Sequence, residues 1–242
     1  MNPLAVLVLG RIPYARALAL QRALREDRIV GRIDRDILLL LEHEPTVTLG
    51  RGTRPTSLPL PPEELARRGL TVMEVERGGD VTWHGPGQLV GYPILDLNQH
   101  RPDLHWYLRQ LEEALIGALL TIGIHAERNP GLTGVWTRGR KIASLGVHVR
   151  RWITTHGFAL NVTNDLGEFG LIVPCGIAGV EMTTVAQELG DSGARRLSTS
   201  ALSSEVVGAV IESFGRVFER QPVTATLAEL LPEGTATGLK AY

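Results

Sequence analysis

The run Ile37 to Leu41 restricts the fold more than any other segment: it is continuously apolar and short, which suits a strand buried on both faces. Strand-like and helix-like stretches alternate loosely around it, so a mixed α/β architecture follows. Pro3 to Leu9 reads as a first strand, and Pro13 is placed to open a helix whose Ala17, Leu20 and Leu24 recur at helical spacing. Pro61-Pro62-Glu63-Glu64 opens a short helix that Gly69 can end, before a strand-like Thr71 to Glu76. The clearest helix runs from Asp103, an N-cap behind Pro102, through Leu104, Leu108, Leu111, Leu115 and Leu119 to Gly123. Its apolar stripe must pack on a sheet.

Three strands are predicted in close succession, Gly134 to Thr137, Lys141 to Val149 and His156 to Val162. Strict alternation in the second puts Ala143, Leu145, Val147 and Val149 on one face, and Ile142, Ser144, Gly146 and His148 on the other. The first face reads as core, while the small residues of the second would let a ligand approach the backbone. Beyond Cys175 the composition changes. Thr184 with Gln187 makes a capping box, Gly190 to Gly193 breaks the chain, and a further helix carries Leu202, Val206, Val210, Phe214 and Val217 on one side. This segment is expected to form a small C-terminal subdomain, followed by a tail rich in Gly, Pro and Thr after Pro232.

Composition removes several function classes. With 25 Lys+Arg against 26 Asp+Glu in 242 residues, the chain lacks the basic footprint of a nucleic-acid binder or a polybasic membrane anchor. The N-terminal apolar run is too short for a membrane span and poorly built for a signal peptide, so a soluble, cytoplasmic protein is expected. One cysteine, Cys175, forbids an intrachain disulfide and any multi-cysteine metal site. No histidine pair has zinc-protease spacing, and no serine-nucleophile elbow is present, so neither a metal site nor a serine hydrolase is expected.

Chemistry concentrates in two places. Arg77-Gly78-Gly79-Asp80-Val81-Thr82-Trp83-His84-Gly85-Pro86-Gly87-Gln88 holds more glycine than a hairpin needs. As a binding loop it offers close backbone approach, donors from Arg77 and His84, and an apolar wall from Trp83; as a long turn, its glycines only satisfy positive φ. Cys175 stands between Pro174 and Gly176, which resembles a presented thiol, although a lone cysteine also serves as a small buried hydrophobe. A reactive thiolate would need a cation nearby. Lys141 is one of only two lysines, the other being Lys240 in the tail, and it is the obvious candidate unless it is an edge-strand surface lysine. His84, His148 and His156 are alternative bases.

Taken together, Arg77 to Gln88 with Tyr92-Pro93, Gly134-Val135-Trp136, Lys141 to Gly146, His156 to Asn161 and Pro174-Cys175-Gly176 resemble the lipoyl(octanoyl) transferase family, lipoate-protein ligase B, in order and spacing over roughly residues 10 to 215. The resemblance implies an α+β fold of the biotin/lipoate ligase type, a mixed sheet flanked by helices. One catalytic domain is expected over 1–242, with a large subdomain to about 175, a small one over about 176–232, and a tail over 233–242. It implies transfer of an octanoyl group from octanoyl-acyl carrier protein to lipoyl domains of 2-oxoacid dehydrogenases and the glycine cleavage H protein, without a cofactor and by a monomer. Cys175 would be the acyl-thioester nucleophile and Lys141 the residue that lowers its pKa. The substrate cleft would comprise Arg77, Gly78, Gly79, Asp80, Val81, Thr82, Trp83 and His84, with Ser144, Leu145 and Gly146 and with Gly157, Phe158 and Ala159. Oxyanion donors are expected from the backbone of Gly146 or of Gly78-Gly79. The alternative is an ATP-dependent lipoate or biotin ligase of the same fold, and a third reading is a non-catalytic acyl-binding module.

Overall fold

The computed structural model describes residues 1–173, 179–191 and 198–231. Its main element is an eight-stranded mixed sheet. In spatial order this comprises β11 (Arg220–Thr224), β1 (Asn2–Arg11), β2 (Asp36–Glu42), β6 (Gln88–Ile94), β10 (Ile153–Asn161), β9 (Arg140–Arg150), β8 (Leu132–Thr137) and β7 (Glu127–Asn129). β1 runs parallel to both β2 and β11, and the pairings from β2 to β7 are antiparallel. A second sheet of three strands is built from β4 (Thr71–Glu74), β3 (Thr46–Leu49) and β5 (Thr82–His84).

The apolar run of β2 explains the layering. Leu38 and Leu40 enter a cluster with α3 (Leu104–Thr121) and α5 (Thr199–Val217), while Ile37, Leu39 and Leu41 enter another with α1 (Tyr14–Ile29) and α6 (Leu227–Leu230). A strand covered on both sides has no polar position, and each of these side chains contributes about 1.5–3 kcal/mol by leaving water. α1 follows Pro13, and the Asp103 carboxylate caps α3 by accepting the Trp106 N–H at 3.0 Å. α2 (Pro62–Arg67) begins behind Pro61. α4 (Val185–Asp191) is opened by Thr184, whose hydroxyl accepts the Gln187 N–H.

The C-terminal segment packs onto the main sheet and its helices. Leu202, Val206, Val210 and Phe214 of α5 share one apolar cluster with α3 and the sheet, and β11 pairs with β1. An amphipathic helix needs an apolar partner, and α3 supplies it, so 198–231 completes the main core. The 233–242 tail lies outside the described residues. No helix among the described residues is long and apolar enough to cross a membrane.

The outer strands are joined to α1 by a buried ionic cluster. The Asp36 carboxylate accepts from Arg28 at 3.1 Å, from Arg220 at 2.8 Å and from His100 at 2.7 Å, joining α1, β2, β11 and the turn before α3. Burial alone would raise its pKa, but the His100 hydrogen bond and the charges of His100, Arg220 and Arg28 outweigh it and hold the carboxyl below its ordinary value.

Candidate active site

A cavity of about 230 Å³ lies where the Arg77–His84 segment passes over β9 and β10. Arg77, Gly79, Asp80, Val81, Thr82 and His84 line it from the segment, Lys141, Ser144, Leu145 and Gly146 from β9, and Gly157, Phe158 and Ala159 from β10. Two expected residues are not in that lining. Trp83 sits between Thr82 and His84 on β5, so period-two alternation turns it away, and its ring meets Phe169 edge-on at 5.5 Å in a separate apolar cluster. The apolar wall comes instead from Val90, Leu132, Leu145 and Phe158. Gly78 turns its N–H to the Val147 carbonyl at 2.9 Å, which removes it as an oxyanion donor.

The glycine segment is held by its own side chains. The buried Arg77 guanidinium donates to the Thr48 carbonyl and to the Asp80 carbonyl, each at 2.7 Å. The Asp80 carboxylate accepts from Ser57 Oγ at 2.6 Å and from the Val81 N–H at 2.7 Å, so its lone pairs clamp the turn. At the point of closest approach a Cβ on Gly146 would stand 3.0 Å from the Gly78 carbonyl oxygen and 3.1 Å from Arg77 Cδ. This is a physical reason for glycine in the Lys141–Gly146 motif.

Lys141 reaches the cavity because β9 contains an extra residue. Trp136 pairs with Lys141 but Val135 pairs with Ala143, a bulge that breaks the strict alternation expected from sequence. Ile142 and Ala143 both enter the core, while Lys141 joins Ser144 and Gly146 in the lining. The Lys141 side chain is buried, with Nζ 5.5 Å from the Trp136 ring centroid. It passes over Gly134, where φ is +141° and a Cβ would come within 2.6 Å of Lys141 Cε. Gly134 and Trp136 thus make the seat of the ammonium, a role that sequence reasoning did not assign.

Cys175 lies outside the described residues, but the chain on both sides of it is anchored. The Val173 N–H donates to the Ser57 carbonyl, and Ser57 Oγ holds Asp80. On the far side, the Lys141 N–H donates to the Glu181 carbonyl at 2.8 Å and the Thr183 N–H returns to the Lys141 carbonyl at 3.0 Å. A run of buried amides ties this strap to the loop: His84 Nδ1–H donates to Gln88 Oε1, Gln88 Nε2 to Asn161 Oδ1, and Asn161 Nδ2 to the Thr183 carbonyl. Gln88 and Asn161 have no chemistry of their own here. They position His84 and the strap.

Sequence reasoning named His84 and His156 singly but missed the cluster of proton-bearing groups they form with Tyr14, Tyr92 and His43, because its members come from separate elements. Tyr14, Tyr92, His84 and His156 line the cavity and His43 backs them. His43 Nδ1–H donates to the Ile12 carbonyl, so its Nε2 accepts from Tyr92 Oη at 2.6 Å. Burial pushes His43 down to about 4. Burial, with Arg77 second, brings His156 to about 4. Burial also holds His84 well below its ordinary range and raises Tyr14 to about 12. His156 has φ +56°, uncommon for a residue with a Cβ, and its N–H leaves the sheet ladder for Gln21 Oε1 at 2.7 Å.

The whole arrangement has known relatives. Residues 13–214 match the lipoyl protein ligase A/B catalytic domain. An octanoyltransferase of Acidobacterium capsulatum is 47% identical over 95% of this chain and 96% of its own length. One from Geobacter sulfurreducens is 53% identical over 75% of this chain and 74% of its own. Among solved structures, a bipartite lipoate protein ligase from Thermoplasma acidophilum superposes with a TM-score of 0.69 at 18% identity, covering 95% of this chain and 89% of that one. Lipoate-protein ligase A bound with ATP gives a TM-score of 0.68 at 16% identity, covering 95% and 90%. The structural likenesses establish a lipoate-ligase fold, and the sequence relatives narrow it: the chain belongs to the octanoyltransferase family, built on the lipoyl protein ligase A/B catalytic domain.

Proposed function

We propose that this protein moves an octanoyl group from octanoyl-acyl carrier protein to a lysine of lipoyl domains, those of 2-oxoacid dehydrogenases and the glycine cleavage H protein, through a thioester on Cys175. The observation that carries the reading is the seating of the buried Lys141 in an acyl-sized cavity, hydrogen-bonded through its backbone to the strap that follows Cys175. In the first step the Cys175 thiolate attacks the carrier thioester and the departing thiolate takes a proton from the Lys141 ammonium. One thioester replaces another, at nearly equal free energy. In the second step a neutral acceptor amine attacks the acyl-cysteine. An amide forms, the Cys175 thiolate leaves, and Lys141 regains its proton.

The cavity supports a slim substrate. About 230 Å³ falls below the ~300–1,000 Å³ of drug-sized sites, which favours an unbranched chain over an acyl-adenylate. At ~0.8 kcal/mol per buried methylene, the chain contributes about 4–5 kcal/mol, and cavity depth selects its length. Cytoplasmic residence belongs to the same proposal, since a lone reactive thiol suits a reducing compartment. The expected result is octanoyl transfer to a lipoyl domain with no nucleotide present. Strict dependence on ATP would instead favour the ligase reading.

A further inference from the structure

The reaction just proposed leaves one proton unaccounted for. An acceptor lysine arrives as an ammonium near neutral pH, with an ordinary pKa of about 10.4, and must lose a proton before it can attack. Lys141 takes up the proton released on amide formation, so the earlier one has to leave by another route. His156 and Glu76 stand where such a route would run. His156 lines the cavity, its Nδ1 lies 3.5 Å from Tyr14 Oη, and its Nε2 lies 3.7 Å from Glu76 Oε2. That oxygen is buried and has no hydrogen-bond partner within 3.5 Å. The other Glu76 oxygen accepts from Arg22 at the surface, and the carboxylate side chain is 29% exposed.

We infer that His156 and Glu76 form a proton relay from the acyl cavity to solvent that serves the aminolysis step. The inference rests on the thioester reading above. The acceptor ammonium loses a proton to His156 Nδ1, directly or through Tyr14 Oη, and becomes the attacking amine. The imidazolium, held beside the Glu76 carboxylate, passes its Nε2 proton to Oε2, and Glu76 releases it to water. The ring then holds its proton on Nδ1; once the amide product has left and water fills the cavity, Nδ1 gives that proton to water and Nε2 takes one back through Glu76, which restores the starting tautomer. Around His156 stand Tyr14, Gln21 and Arg22 of α1, Glu76 and Arg77, His84 of β5, Tyr92 of β6 and His148 of β9. Of these charged groups, the carboxylate opposes the Arg77 charge at the ring. Burial and Arg77 keep the ring neutral, so Nδ1 presents a lone pair to the cavity. Burial alone would raise the Glu76 carboxyl, but its hydrogen bonds and Arg22 hold it below its ordinary value, so it is ionised beside Nε2.

Two nucleophiles separate this role from a structural one. Acyl-enzyme formed from octanoyl-acyl carrier protein is deacylated either by a lipoyl domain, whose lysine must lose a proton first, or by hydroxylamine, which is neutral near pH 7. In Glu76→Gln the amide oxygen can still accept from Arg22, and in His156→Asn the new side chain tolerates the left-handed backbone. Both variants are expected to lower the ratio of lysine to hydroxylamine rate by about 10- to 100-fold, with the deficit closing as alkaline pH supplies free amine. An unchanged ratio in either variant overturns the relay, as does equal loss with both nucleophiles. If the wild-type protein forms no acyl-enzyme, the thioester reading fails first and the relay falls with it.

Discussion

Replacing Lys141 with methionine is expected to raise the pH at which the protein's thiol alkylates and to reduce octanoyl transfer by about 10²–10⁴. Methionine keeps an unbranched stem in a buried seat, so the change removes charge and proton-carrying capacity with little loss of volume. An ammonium beside a thiol favours the thiolate, and without it the thiol returns toward its ordinary pKa of about 8.5. The chain has one cysteine, so the rate of iodoacetamide labelling against pH reports Cys175 alone. Gly134→Ala should move the profile in the same direction by a different route, since its Cβ would stand 2.6 Å from Lys141 Cε and push the ammonium off its seat. An unchanged profile in Lys141→Met would remove the role assigned to this residue.

The largest stability effect is expected at Asp36, far from the cavity. Asp36→Asn leaves Arg28 and Arg220 buried against a neutral amide, and losing one partner of a buried ionic cluster costs about 3–5 kcal/mol. The pH dependence has a definite sign. The folded-state pKa of Asp36 is held below its unfolded value, so its contribution is fully present above the unfolded pKa. It is lost as the pH falls through the folded pKa. Urea unfolding should therefore show the full deficit at neutral pH, narrowing below about pH 4. A deficit that stays constant from neutral to acid would mean that the carboxylate charge is not its source.

Features confined to one element were legible in the sequence. The double-sided burial of β2 follows from Ile37–Leu41, and the Asp103 cap of α3 from its position behind Pro102. The Arg77–His84 loop was also recognisable, but the orientation of its members was not. Trp83 reads as a cavity wall until β5 is known to be a strand, after which alternation turns it into the core. Scarcity and motif single out Lys141 as a candidate, but the way it reaches the cavity was not legible: the bulge at Ile142 places it with Ser144. Tyr14 and His156 meet across 142 positions of sequence separation, and no local pattern encodes that contact. The attachment of α5 and β11 to the main core is likewise set by α3 and β1, not by any signal in the C-terminal segment itself.

The central claim is that Cys175 carries the acyl group. Incubation with octanoyl-acyl carrier protein, without nucleotide or acceptor, followed by intact-mass analysis, tests it directly. The prediction is one octanoyl adduct on the wild-type protein, released by hydroxylamine and absent from Cys175→Ala. Absence of the adduct from wild type, or full transfer by Cys175→Ala, would contradict it.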